Sequence, residues 1–239
     1  MKSEVRIQKS DSHLYLCSLV HICYLLVGVI VLLAPETKAE EGLQSIIKKV
    51  QARYEATSDF KAEFEQKTQI KGFTTPIVYK GRLYIKKPGM LRWDYSEPSK
   101  HQIYVNNEKV VYYIPEHKQA MTGLLSEDSG TETPTHLLSG LAKIDQDFDV
   151  SFEEDGKDKK EMGPRLRLIP KDQRTEISKI VIELEPKRSY ITRLTIFEKT
   201  GNSSTFSFTK IEANMGLKDD LFIFTPPKDV EMVDPRLFK

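Results

Sequence analysis

The chain has 239 residues, 36 basic and 35 acidic, for a net charge of +1; 39% of it is hydrophobic and 30% charged. Charge so evenly balanced argues against a nucleic-acid binder, which needs a basic face, and leaves apolar or neutral ligands as the natural targets. Its two cysteines both lie in one N-terminal apolar run, so no disulfide framework is expected in the remainder.

That run, LYLCSLVHICYLLVGVIVLL at residues 14–33, is the first predicted element; Lys2, Arg6 and Lys9 precede it and APETKAEE follows. A basic start, an apolar centre and the small residues Thr37 and Ala39 are the layout of a secretory signal peptide over 1–39, cut after Ala39. The run is also long enough to span a bilayer, so an uncleaved anchor is the rival reading. Neither Cys17 nor Cys23 follows the small residue that a lipoprotein signal needs. Removing residues 1–39 takes away both cysteines, four basic and three acidic residues, and leaves 200 residues of zero net charge. A domain of that length can bury a sufficient core without disulfides.

Residues 40–239 read as a single domain. In EGLQSIIKKVQARYEAT, Leu43, Ile46, Ile47, Val50 and Tyr54 share one face of an amphipathic helix. From Asp59 the period changes to two. Phe60, Ala62 and Phe64, then Ile77, Tyr79, Leu83 and Ile85, alternate with polar residues; KKPGMLRWDYSEP puts Leu91, Trp93 and Tyr95 on one side and Arg92 and Asp94 on the other. Further strands are predicted in HQIYVNN, KVVYYIP, FDVSFEE, PRLRLIP, SKIVIELEP, YITRLTIFEK, STFSFTKIEAN and LFIFTPP, separated by turn signals such as Asn106-Asn107 and Gly201-Asn202. The fold class expected is mainly β (α+β): one antiparallel sheet of ten or eleven strands, curled into an unclosed half-barrel and covered by the N-terminal helix.

The alternation breaks between Pro115 and Asp145. EHKQAMTGLLSED and TPTHLLSGLAKID are short helical candidates; Thr133 is a good N-cap, Pro134 suits the first helical position, and Leu137, Leu138 and Leu141 share a face. This insertion, about 116–144, is either a helical lid or a connection that fills the core. The polar run at 153–163 reads as a solvated hairpin tip.

Catalytic chemistry is not visible. His101, His117 and His136 match no metal spacing, and Ser139 beside His136 lacks a Gly-x-Ser-x-Gly elbow. Gly81 and Gly89 form no phosphate loop, and Asp219-Asp220 reads as surface charge. No enzyme, cofactor or metal is expected.

GRLYIKKPGMLRWDYSEP, followed by QIYVNNEKVVYYIPEHKQA and closing with FIFTPPKDVEMVD, resembles the LolA family of lipoprotein carriers from near Gly42 to Val233. Gly81, Leu83, Lys87, Pro88 and Trp93 meet one motif of that family, and Phe222, Phe224, Pro226 and Pro227 meet another. The resemblance implies an unclosed barrel, a helical lid and an apolar cavity that holds the acyl chains of a lipoprotein. It also implies a periplasmic monomer that collects cargo from an inner-membrane ABC lipoprotein-releasing complex and passes it to an outer-membrane acceptor lipoprotein. The cavity wall would be Leu83, Ile85, Leu91, Trp93, Tyr95, Val111 and Tyr113, with Leu137, Leu138 and Leu141 from the lid; Leu91 is expected at the rim. For any one of them, packing in an ordinary core is the competing reading. The family often carries arginine where this chain has Lys87, and there it bonds lid carbonyls. The latch then falls on Lys87, which has three donors but no planar fork. A lipid-binding or envelope-sensor module on the same half-barrel is the alternative, since fold does not fix function.

Overall fold

The computed structural model describes residues 38–124, 137–138, 143–153 and 163–233, with side chains from residue 42 onward. It divides into two units. Of Met1–Gly42 only the start of a helix is described, and the predicted signal run lies outside the described residues; Leu43–Lys239 holds the sheet. No helix among the described residues is long and apolar enough to cross a membrane.

Helix α1 (Lys38–Glu55) buries Ile47, Val50 and Tyr54, the stripe read from the sequence. Twelve strands follow among the described residues: β1 (Asp59–Gln69), β2 (Ile77–Lys86), β3 (Met90–Glu97), β4 (His101–Asn106), β5 (Lys109–Ile114), β6 (Gln119–Leu124), β7 (Phe148–Phe152), β8 (Arg165–Pro170), β9 (Ile177–Leu184), β10 (Ile191–Glu198), β11 (Ser203–Ala213) and β12 (Glu231–Val233). They form one sheet in the order β12-β6-β5-β4-β3-β2-β1-β11-β10-β9-β8-β7, antiparallel except for β12 beside β6. The order ends on β12 and β7, so the half-barrel is unclosed. Its inner face is continuous: Leu166, Ile182, Leu194 and Phe206 stand in one cross-strand row, and Phe64 and Phe208 pair in the adjoining strands. α1 lies on that face, because an apolar stripe and an apolar sheet face leave water together.

Three stretches differ from the reading of the sequence, and the shortest is β12, a three-residue parallel strand at the sheet edge that the reading does not contain. Pro115–His117 is a 3-10 turn closed by Lys118 in the left-handed region (φ 52°), and Gln119–Leu124 is strand β6 rather than helix. The turn folds the chain back on β5, placing Ala120 opposite Tyr113, and the ladder outweighs a helical pattern only a few residues long. LFIFTPP is not a strand either. Asp219–Phe222 is a 3-10 turn, and Pro226 and Pro227 have no N–H to offer a ladder. This segment instead crosses the outer face: Lys86 Nζ donates to the Leu217 carbonyl (2.6 Å) and Arg92 to that of Leu221 (3.1 Å), while the Phe224 ring packs on Tyr104 and Tyr113 at 5.4 and 5.0 Å.

Asp59 fixes where that crossing begins. Its carboxylate, buried at the start of β1, accepts from the backbone N–H of Met215 (2.7 Å), Gly216 (2.8 Å) and Leu217 (3.3 Å). Asp59→Ala leaves three amides without their acceptor and should lower stability by roughly 3 kcal/mol. Chemical denaturation checks this; Asp59→Asn, which keeps one oxygen, should lose less.

Candidate functional site

The first motif of the sequence builds the middle of the inner face. Leu91 pairs with Ile85 and Val105, and Trp93 with Leu83 and Ile103, so these side chains stand in rows across β2, β3 and β4. Leu83, Ile85, Leu91 and Trp93 are buried and Tyr95 is half-buried beside them. Leu91 is only 2% exposed, and Val105 flanks it: it sits in the interior and not at a rim. Val111 and Tyr113 do not belong to this face. Val111 pairs with Tyr104 and Tyr113 with Gln102, and both stand in the rows of the outer face under the Phe224 segment. Val110 and Tyr112, paired with Val105 and Ile103, occupy the inner positions instead.

Aromatic side chains run along this face toward one end of the strands. Phe206 lies 5.6 Å from Trp93 and Phe64 4.8 Å from it; Tyr95 meets Phe64 at 5.0 Å, stacks on His101 at 4.0 Å, and touches Tyr79 at 5.9 Å; His101 reaches Tyr112 at 5.4 Å. The sequence reading missed Phe64, Phe206 and Tyr112 as wall residues, although the alternation of EFEQ and STFSF marks the first two. Burial pushes the Tyr95 hydroxyl up, and burial among these rings holds His101 below the usual imidazole range, against a hydrogen bond with the Ser99 backbone that raises it. An imidazole more readily protonated in the unfolded chain contributes stability above its ordinary value of about 6.5 that is lost as pH falls below it. Thermal stability should therefore drop on acidification from neutral pH, and His101→Phe should flatten that part of the profile.

What covers the inner face is protein. Leu137 and Leu138, 3% and 2% exposed, sit in the core, with Ile144 of α2 (Ile144–Asp147) after them. Leu141, His136 and Ser139 lie outside the described residues. Between α1 and this covering segment there is a void of about 10 Å³, lined by Val50, Tyr54, Leu137 and Ile144 among others, which is about one water in size. Polar contacts tie the segment to α1: Gln51 donates to Asp145 (2.8 Å) and Lys143 pairs with Glu55 (3.2 Å).

Lys87 is placed differently from the expectation for a latch. Its Nζ donates to the Tyr54 carbonyl in the last turn of α1, where a cation meets the negative end of the helix, and to no described residue of the 116–144 insertion. Its backbone N–H bonds Ser58 at 2.9 Å. Burial lowers the Lys87 pKa, Lys143 lowers it further and Glu55 opposes them. Tyr54 is itself fixed, accepting from the Ile191 N–H through its hydroxyl (3.1 Å) and packing edge-on against Tyr190 (5.9 Å).

The outer face carries a groove of about 960 Å³, lined by Glu63, Arg82, Asp94, Gln102 and Arg193 among others. Charged walls do not suit hydrocarbon, so the two faces differ in what they can hold. No three His, Cys, Asp or Glu side chains gather as a metal site among the described residues.

The sheet, its apolar face and its motifs can be set beside known proteins. The family model described as outer membrane lipoprotein carrier protein LolA matches residues 55–225. The outer-membrane lipoprotein carrier protein of Photobacterium profundum is 27% identical over 186 residues, 77% of this chain and 87% of that relative. The protein of the same description from Nitrosomonas europaea is 29% identical over 190 residues, covering 79% and 89%. Among solved structures, an uncharacterized conserved protein from Thermus thermophilus superposes with a TM-score of 0.52 at 12% identity, over 80% of this chain and 98% of that one, a likeness of fold alone.

Proposed function

Since the chain belongs to the LolA family of outer membrane lipoprotein carrier proteins, we propose that it holds the acyl chains of lipoproteins against its inner face and carries them through the periplasm from the inner to the outer membrane. The observation that carries this reading is the continuous apolar face of β1–β5 and β8–β11, which among the described residues is covered by helix α1 and by Leu137, Leu138 and Ile144. In this account the export signal is residues 1–39, and residues 40–239 are the carrier. Cargo is received from an ABC-type releasing complex and handed to an acceptor lipoprotein, and the chain itself catalyses nothing.

Exchange of like for like is the physical basis. With the carrier empty, Leu137, Leu138 and α1 occupy the face; with cargo, methylenes replace the leucines. Each buried methylene is worth about 0.8 kcal/mol, so an acyl chain of about ten buried methylenes outweighs two leucines at about 1.5–3 kcal/mol each. The wall assigned to cargo is Leu83, Ile85, Leu91, Trp93 and Tyr95, with Phe64, Ile103 and Val105 beside them. Lys87 acts at one remove: by holding the end of α1 through Tyr54, it steadies the helix against which the covering segment rests.

Spheroplasts test the reading. Lipoprotein should leave the inner membrane only when this protein and ATP are both supplied, and should leave bound to it. A folded protein that releases none contradicts the proposal.

A further inference from the structure

The hairpin tip between β1 and β2 gathers four of the nine large hydrophobic side chains exposed among the described residues, Ile70, Phe73, Ile77 and Val78. Residues 71–78 are all exposed; Phe73 is 68% exposed, Ile77 41%, and Val78 and neighbouring Ile70 36% each. These side chains are displayed by an ordered backbone. Gln69 donates from one amide to the carbonyls of Ile70 (3.2 Å) and Phe73, the Phe73 N–H returns to the Ile70 carbonyl (3.0 Å), and Lys71 N–H is tied to Asn202 in the next turn (3.0 Å).

Two features say what covers the tip. Ile77 and Val78 are consecutive strand residues and point to opposite faces of the hairpin, yet both are exposed. A flat protein partner would cover one side of such a finger, whereas a fluid apolar medium surrounds it. Residues 66–80 also hold three lysines, Lys67, Lys71 and Lys80, and no acid. Lys67 pairs with Glu65 (3.1 Å) and Lys80 with Glu97 (3.0 Å), exposed pairs worth little in water that a phosphate can replace, and Lys71 makes no ion pair among the described residues. Apolar side chains at a tip with lysines beside and behind them match the boundary of an anionic bilayer, acyl chains inside and phosphates outside. The tip stands at the end of the sheet where Tyr79, Tyr95 and His101 begin the aromatic row that leads inward to Trp93.

We propose that the β1–β2 hairpin tip is a membrane-docking finger, in which Phe73, Ile70, Ile77 and Val78 enter the outer part of an anionic bilayer while Lys67, Lys71 and Lys80 meet its phosphates. Its purpose rests on the carrier reading, since docking brings the aromatic end of the face to the lipid surface; the contact itself is tested without cargo.

Phe73→Trp in a Trp93→Phe background places the one indole at the tip. Vesicles of equal parts phosphatidylglycerol and phosphatidylethanolamine with brominated acyl chains should quench its emission and shift it to the blue, with the effect fading at high salt. Phe73→Ser in the otherwise unchanged chain, measured by flotation, should bind these vesicles about tenfold or more weakly. An indole at position 73 that stays unquenched, or binding within about twofold of wild type for Phe73→Ser, overturns the inference; equal quenching by neutral phosphatidylcholine vesicles overturns the part given to the lysines. Lipopeptide binding without vesicle docking would overturn this inference and spare the carrier reading, and docking without lipopeptide binding would do the reverse.

Discussion

Gly81→Ala is expected to destabilise the protein by about 3 kcal/mol or more, lowering the melting temperature by about 6–12 °C for a domain of this size. Gly81 lies between Phe64 on β1 and Tyr95 on β3, at the irregularity in the β2–β3 pairing between Lys80 and Gly81. A Cβ there would stand 2.0 Å from the Asp94 carbonyl oxygen and 2.9 Å from the Phe64 ring. Neither neighbour yields cheaply, because one is backbone held in the sheet and the other is packed against Trp93 and Tyr95. The bare glycine lets the Phe64 and Tyr95 rings close over it at 5.0 Å, an arrangement in which aromatics cover the exposed backbone of a strand glycine. Differential scanning calorimetry decides the matter, and a shift under about 2 °C would show that the site relaxes without cost. The emission of Trp93 should change in the same variant.

The second large effect concerns binding. Leu137→Ala combined with Leu138→Ala should tighten binding of a triacylated lipopeptide by about tenfold or more while lowering the stability of the empty protein by roughly 4 kcal/mol. The proposal makes these leucines competitors of the cargo: they fill the face when it is empty and leave it when acyl chains enter. Truncating them weakens the closed state more than the loaded one, so a larger fraction of molecules is ready to bind. The sign distinguishes this from a simple wall, since residues that only line a cavity lose contacts on truncation and would weaken binding. Titration of the lipopeptide against wild type and the double variant gives the answer directly.

How much of this was legible in the sequence depended on whether local pattern or tertiary partners decided the outcome. Strict alternation around Leu91, Trp93 and Tyr95 specified a strand and its apolar side, and the α1 stripe of Ile47, Val50 and Tyr54 was equally plain. In KVVYYIP both faces are apolar, so the pattern carries no phase. Alternation alone lets Val111 and Tyr113 read as inward, whereas the register with Tyr104 and Gln102 turns them outward beneath Phe224. Phe222 and Phe224 alternate like strand residues, yet the prolines after them withhold N–H groups and the segment packs as a strap. Leu91 lies in the interior and not at the expected rim because rows from β2 and β4 close around it, which no single strand reveals. The partner of Lys87 was illegible for the same reason: Tyr54 lies 33 residues away and meets it only through the docking of α1.

Trp93 offers the most direct test of the central claim, that acyl chains lie against the face of β1–β5. It is the only tryptophan of the chain, is 6% exposed, and is ringed by Phe64, Tyr95 and Phe206 on that face. Titration of the wild-type protein with a lipopeptide whose acyl chains are brominated should quench its emission saturably, with one lipopeptide bound per chain. Unquenched emission from a folded protein to which the lipopeptide has bound would place the acyl chains elsewhere and contradict the account.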